Sequence, residues 1–84
     1  MSQSYYLGMD VASVSVDTAV IDADTLQIIE AQYVRHHGRP MQAAAEAIRD
    51  VITRYGAQNL RGMTATGSGG RVVSQVLGAD FVNE

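Results

Sequence analysis

The chain has no cysteine, no lysine and no tryptophan, and only one proline and one phenylalanine among its 84 residues. Without cysteine it forms no disulfide and offers no thiolate to zinc or to an iron–sulfur cluster. Without lysine, its six basic residues are all arginine, spread along the chain and outweighed by nine carboxylates, for a net charge of −3. Such a balance disfavours nucleic-acid backbones, which need a basic patch, and disfavours anionic membrane surfaces for the same reason. No apolar run approaches the ~18 residues of a membrane-spanning helix. The opening Met-Ser-Gln-Ser has neither the charge nor the apolar core of a signal peptide. A soluble, cytoplasmic protein is the expectation.

Hydrophobic residues make up 46% and charged residues 18%, the composition of a folded domain. The length suits one small domain or part of a larger one. Phe81-Val82-Asn83-Glu84 reads as the start of a further element, so residues 1–84 are expected to be a segment of a longer chain.

Residues Tyr5 to Asp10 read as a first strand, with Tyr5 and Tyr6 on opposite faces. From Val14 to Ile21 the alternation of Val14, Val16, Thr18 and Val20 with Ser15, Asp17 and Ala19 has the period of a half-buried strand. Asp22-Ala23-Asp24-Thr25 is a turn cluster, and Leu26 to Val34 reads as a third strand centred on Ile28 and Ile29. Met41, Ala44, Ala45, Ile48, Val51, Ile52 and Tyr55 then recur at helical spacing, with Pro40 suited to the first helical position and Gly56 to the stop. Leu60 to Thr66 reads as a strand, Gly67-Ser68-Gly69-Gly70 as a glycine-rich loop, and Arg71 to Leu77 as a short helix. The order β-β-β-α-β-α predicts a ribonuclease H-like α/β layer with a mixed sheet; a Rossmann unit would place a helix after the first strand.

Two places carry chemistry. Asp10 closes the first strand, and Ala12, Ser13, Val14 and Ser15 form the bend that follows. A carboxylate at a strand end can hold a divalent cation directly or through water, while a tight bend can aim backbone amides at an anion. The second is Thr66-Gly67-Ser68-Gly69, where a strand runs into a glycine-rich loop and a helix start, another arrangement suited to an anion. It lacks the closing Gly-Lys-Ser/Thr of a Walker loop. A plain hairpin bend and a simple helix cap account for the same residues in purely structural terms. His36 and His37, adjacent on an extended segment, point apart and suit one metal poorly; hydrogen-bonded positioning or solvent exposure is expected of them.

Together, "LGMDVASVSVDTAVID", "YVRHHGRP" and "TGSGGRVVSQVLGADFVNE" resemble the N-terminal end of the CoA-substrate-specific enzyme activases, the BadF/BadG/BcrA/BcrD-type ATPases. The resemblance runs from Tyr5 onward. It implies the actin/sugar-kinase/chaperone ATPase fold, with two ribonuclease H-like halves around a nucleotide cleft. It implies Asp10 as the catalytic residue beside a magnesium ion, the amides of Ala12 to Ser15 facing the β- and γ-phosphates of ATP, and Thr66, Gly67, Ser68 and Gly69 bordering the cleft. In that family ATP hydrolysis reorients a homodimer sharing one [4Fe–4S] cluster and drives a low-potential electron onto a CoA-ester dehydratase or reductase. This chain has no cysteine for the cluster. It also has Ala12 where the family has Gly, which is costly if that position needs a positive φ, and Asp17 where the family has Lys, which would repel phosphate if it faces the cleft. Alternative expectations are a sugar or carboxylate kinase of the same superfamily, and a degenerate, non-catalytic interaction module. The isolated segment is expected to be nearly inert, because half a cleft does not surround a transferred phosphate.

Overall fold

A computed structural model describes residues 4–67 and 80–81. The alternating apolar positions form strands β1 (Tyr5–Val11) and β2 (Ser15–Asp22), joined by a tight hairpin. β3 (Ile28–Arg35) completes an antiparallel meander, and α1 (Pro40–Tyr55) follows. A 3₁₀ turn at Ala57–Asn59 leads into β4 (Leu60–Thr66), and a two-residue strand β5 (Asp80–Phe81) lies at the far edge. The spatial order is β3-β2-β1-β4-β5. β1 pairs antiparallel with β2 but parallel with β4, and β4 pairs parallel with β5. A hairpin-first mixed sheet with a helical crossover between β3 and β4 is a ribonuclease H-like layer, as the sequence predicts. The short helix expected over Arg71–Leu77 lies outside the described residues.

The core forms between α1 and one face of the sheet. Along β1 the odd-numbered residues Tyr5, Leu7, Met9 and Val11 are buried, and along β2 the even-numbered Val16, Thr18 and Val20. They meet Ala44 and Val51 of α1 in two adjoining clusters, with Met41, Ile48, Tyr55 and Met63 packed around them. Pro40 begins the helix and Gly56 (φ +93°) ends it, its amide donating to the Ile52 carbonyl. The helical stripe is core, though only Ala44 and Val51 are fully buried. Tyr5 turns inward, with its hydroxyl donating to the Gly56 carbonyl, and Tyr6 turns outward.

β3 differs from its expected span. It begins at Ile28 rather than Leu26, because Leu26 takes a positive φ (62°) and donates its amide to the Asp22 carbonyl, closing the turn. The Asp22 carboxylate braces this turn by accepting from the amides of Asp24 (2.8 Å) and Thr25 (2.9 Å). Ile28 and Ile29, expected at the centre of a strand, are exposed. β3 is tied to α1 by a polar clasp. Glu30 accepts a two-pronged pair of hydrogen bonds from Arg54 (both 2.6 Å) and one from the Tyr55 hydroxyl (2.8 Å), while Arg54 also reaches Asp50. These donors hold the Glu30 carboxyl down at about 2, from an ordinary 4.5, with the Arg54 hydrogen bonds the largest cause and Tyr55 next. The same hydrogen bond to Glu30 is the largest cause of a raised Tyr55 pKa.

Candidate phosphate and cation site

Strand alternation that sends Met9 and Val11 into the core sends Asp10 to the opposite face. In the antiparallel register Asp10 stands directly across from Asp17, and in the parallel register it stands beside Thr66. Directly opposed residues bring their Cβ atoms to about 4.5–5.5 Å. Two carboxylates and a hydroxyl therefore form a row across three adjacent strands. Gly8, Ala19 and Thr64 continue that face and, with the row, line a cavity of about 470 Å³. The small side chains at Gly8 and Ala19 keep its floor low.

Two oxygens in the row, Asp17 Oδ1 and Thr66 Oγ1, are shielded from solvent with no hydrogen-bond partner. Buried polar atoms in that state are costly, and a cation or a ligand donor would satisfy them. Carboxylate and hydroxyl oxygens are hard donors of the kind magnesium accepts, usually as one or two protein carboxylates completed by water and substrate phosphate. Asp10 and Asp17 thus fit a partly hydrated magnesium ion. Among the described residues no group of three or more His, Cys, Asp or Glu side chains is placed to enclose a metal. The cysteine-free chain offers no ligand set for a [4Fe–4S] cluster.

β1 and β4 run parallel and end together, at Val11 and Thr66. Carboxyl ends of neighbouring parallel strands are where open α/β sheets receive ligands. Gly67 leaves β4 at this point with φ +92°, and a Cβ there would overlap Asp10 Oδ1 and the Val11 carbonyl. Only glycine meets both demands. The structure therefore brings the start of the glycine-rich loop against the Asp10 corner. Ser68 and Gly69, expected in the same site, lie outside the described residues.

In the hairpin bend the Ala12 amide donates to the Ser15 carbonyl (2.9 Å), so that donor is committed within the turn. Ser13 and Val14 are exposed at the tip, and Ser15 is buried. Among the described residues positive φ outside glycine occurs only at Leu26 and His37, so Ala12 adopts its conformation without the strain that a glycine position would impose. Asp17, whose orientation the sequence left open, lines the cavity opposite Asp10.

His36, for which solvent exposure was one expectation, is buried (8% exposed) behind this bend. Its ring Nε2 lies 3.0 Å from the Ala12 carbonyl, its backbone amide donates to the Val14 carbonyl (3.0 Å), and its Nδ1 accepts from the Gly38 amide (3.1 Å). Hydrogen-bonded positioning, the other expectation, is what the structure shows for His36; its partner Ala12, 24 residues away, was not legible in the sequence. The Glu30 clasp was missed for the same reason.

The fold is shared with known phosphatases. A crystal structure of an Aquifex aeolicus Ppx/GppA phosphatase, the type II variant, matches with a TM-score of 0.61 at 10% identity, covering 95% of this chain and 36% of that one. A second Aquifex aeolicus Ppx/GppA structure matches at 0.55 with 11% identity, over 96% of this chain and 35% of that one. An exopolyphosphatase-like protein matches at 0.54 with 13% identity, over all of this chain and 33% of that one. The chain thus spans about a third of the length of the solved structures it matches. The likeness is one of fold: an α/β, ribonuclease H-like half-domain. No family model matches the chain, and no curated protein does.

Proposed function

We propose that this chain forms the first phosphate-binding corner of an actin-like phosphohydrolase, taking a magnesium-bound polyphosphate chain as found in ATP. The observation that carries the reading is the joining of Asp10, Asp17, Thr66 and Gly67 at the paired carboxyl ends of β1 and β4, with a partnerless buried oxygen on each of two residues, Asp17 and Thr66, that line one cavity. Magnesium would rest against Asp10 and Asp17, and the exposed tip of Ser13 and Val14 would present amides to the phosphates. Asp10 would orient the hydrated cation and its attacking water. In this reading residues 1–84 are one part of a two-lobed cytoplasmic ATPase, and the opposite wall of the cleft comes from sequence outside them.

The finer form is an ATP-driven activator of a CoA-ester dehydratase or reductase, working as a homodimer; its support is the motif resemblance. Any [4Fe–4S] cluster in that assembly would take its cysteines from elsewhere. The fold likeness to Ppx/GppA phosphatases equally supports inorganic polyphosphate as the substrate chain.

Calorimetric titration tests the reading. Magnesium alone should bind this chain weakly, and Asp10→Asn and Asp17→Asn should each abolish that heat. Magnesium–ATP and magnesium–tripolyphosphate should bind the intact parent protein tightly and this chain only weakly. Magnesium binding indifferent to both substitutions would overturn the assignment.

A further inference from the structure

The hydrogen bonds around His36 fix more than its location. A backbone N–H cannot accept, so the Gly38 amide pointing at Nδ1 requires that nitrogen to be unprotonated. The ring proton then sits on Nε2, which donates to the Ala12 carbonyl. The same residue's backbone N–H donates to the Val14 carbonyl. One residue in the β3–α1 connection thus grips the hairpin bend on both sides of Ser13. Gly38 can supply its amide because His37 (φ 50°) and Gly38 (φ +78°) both take the left-handed conformation, folding the connection back on the ring. The Arg39 amide closes that fold by donating to the His36 carbonyl (2.8 Å).

We propose that His36, held as its Nε2–H tautomer between Ala12 and Gly38, is the positioning residue that sets the shape of the Ala12–Ser15 bend. This rests on the proposed function only in giving the bend a phosphate to receive; the latch itself is a property of the chain. An amide-lined bend recognises an anion only while its N–H groups converge, and two carbonyls pulled back on the far side keep the amides turned outward. His36 acts through the backbone and touches no ligand. A doubly protonated ring would present an N–H to the Gly38 N–H, breaking that contact and loosening the latch. The charged and titratable groups around it are Arg35, His37 and Arg39 of its own connection and Glu46 of α1, which line an adjoining cavity.

Nitrogen-15 NMR of the ring in the unaltered chain, together with amide exchange, tests this. The ring should show a bare Nδ1 and a protonated Nε2, and the Ala12 amide should be protected from exchange in the unaltered chain. His36→Gln replaces the Nε2 donor; His36→Asn replaces the Nδ1 acceptor but does not reach Ala12. In His36→Asn, exchange at Ala12 should rise roughly tenfold, as expected for losing one hydrogen bond. In His36→Gln it should stay near the unaltered rate, with amides in the centre of the β1–β2 ladder unchanged in both. An Nδ1–H tautomer, or equal Ala12 exchange in all three chains, overturns the latch. An intact latch in a parent protein that binds no magnesium–ATP or tripolyphosphate upholds the latch and overturns the proposed function.

Discussion

Gly67→Ala should be disproportionately damaging, and its cost separates into two parts. The first is conformational: alanine at φ +92° leaves the region open to L-residues, at about 1–2 kcal/mol. The second is contact, because the new Cβ would overlap Asp10 Oδ1 and the Val11 carbonyl. The carboxylate can rotate away, but the carbonyl belongs to the β1 backbone and yields only if the strand end moves. Forcing an atom into a packed position typically costs a further ~1–3 kcal/mol. The total of about 2–5 kcal/mol is a large share of the roughly 4–13 kcal/mol expected for a domain of this size. Gly38→Ala supplies the control, since it shares the positive φ (+78°) but its Cβ would meet nothing within 4 Å. Urea unfolding of both variants isolates the contact part as their difference. Gly38→Ala should lose about 1 kcal/mol and Gly67→Ala at least twice that, with weaker magnesium binding only in the latter. Equal losses would show that Gly67 is not pressed against the Asp10 corner.

Two further outcomes test the frame around the site. Leu7 is buried at the centre of the cluster it shares with Tyr5, Val20 and Val51, so Leu7→Ala should cost about 2–5 kcal/mol in thermal or urea unfolding; a cost below 1 kcal/mol would refute the packing. Glu30 has its folded pKa depressed to about 2 from 4.5, so its stabilisation is complete above pH 4.5 and lost as the pH falls toward 2. Unfolding of Glu30→Gln should therefore differ from the unaltered chain at pH 6 and converge with it near pH 2. The gap should be small and shrink in high salt, since the pair is partly exposed.

The elements whose signals are local were legible. The helix could be read from seven apolar positions bracketed by Pro40 and Gly56, and β4 from a short run ended by Gly67, because spacing and backbone restriction act within a few residues. β3 was legible in existence but not in its start, since Leu26 looks like a strand residue until the Asp22 carboxylate folds the chain beneath it. The site was half legible. Asp10 and the bend announced themselves, but period-two alternation could place Asp17 on a face without saying what that face meets. The partners of His36 and Glu30 were hidden, as they are brought together only by the sheet order.

Those hidden contacts decide how the two departures from the activase pattern should be weighed. Ala12 occupies a backbone position with no positive φ, and its amide and carbonyl are both engaged, by Ser15 and His36. The missing glycine therefore costs the bend nothing. Asp17 is different: it adds a second negative charge directly across from Asp10. Like charges opposed across a strand pair repel each other and any bare anion. The same pair is what a divalent cation neutralises. In the proposed function the substitution thus leaves the bend's shape intact and shifts recognition toward the metal, so that phosphate enters as its magnesium complex.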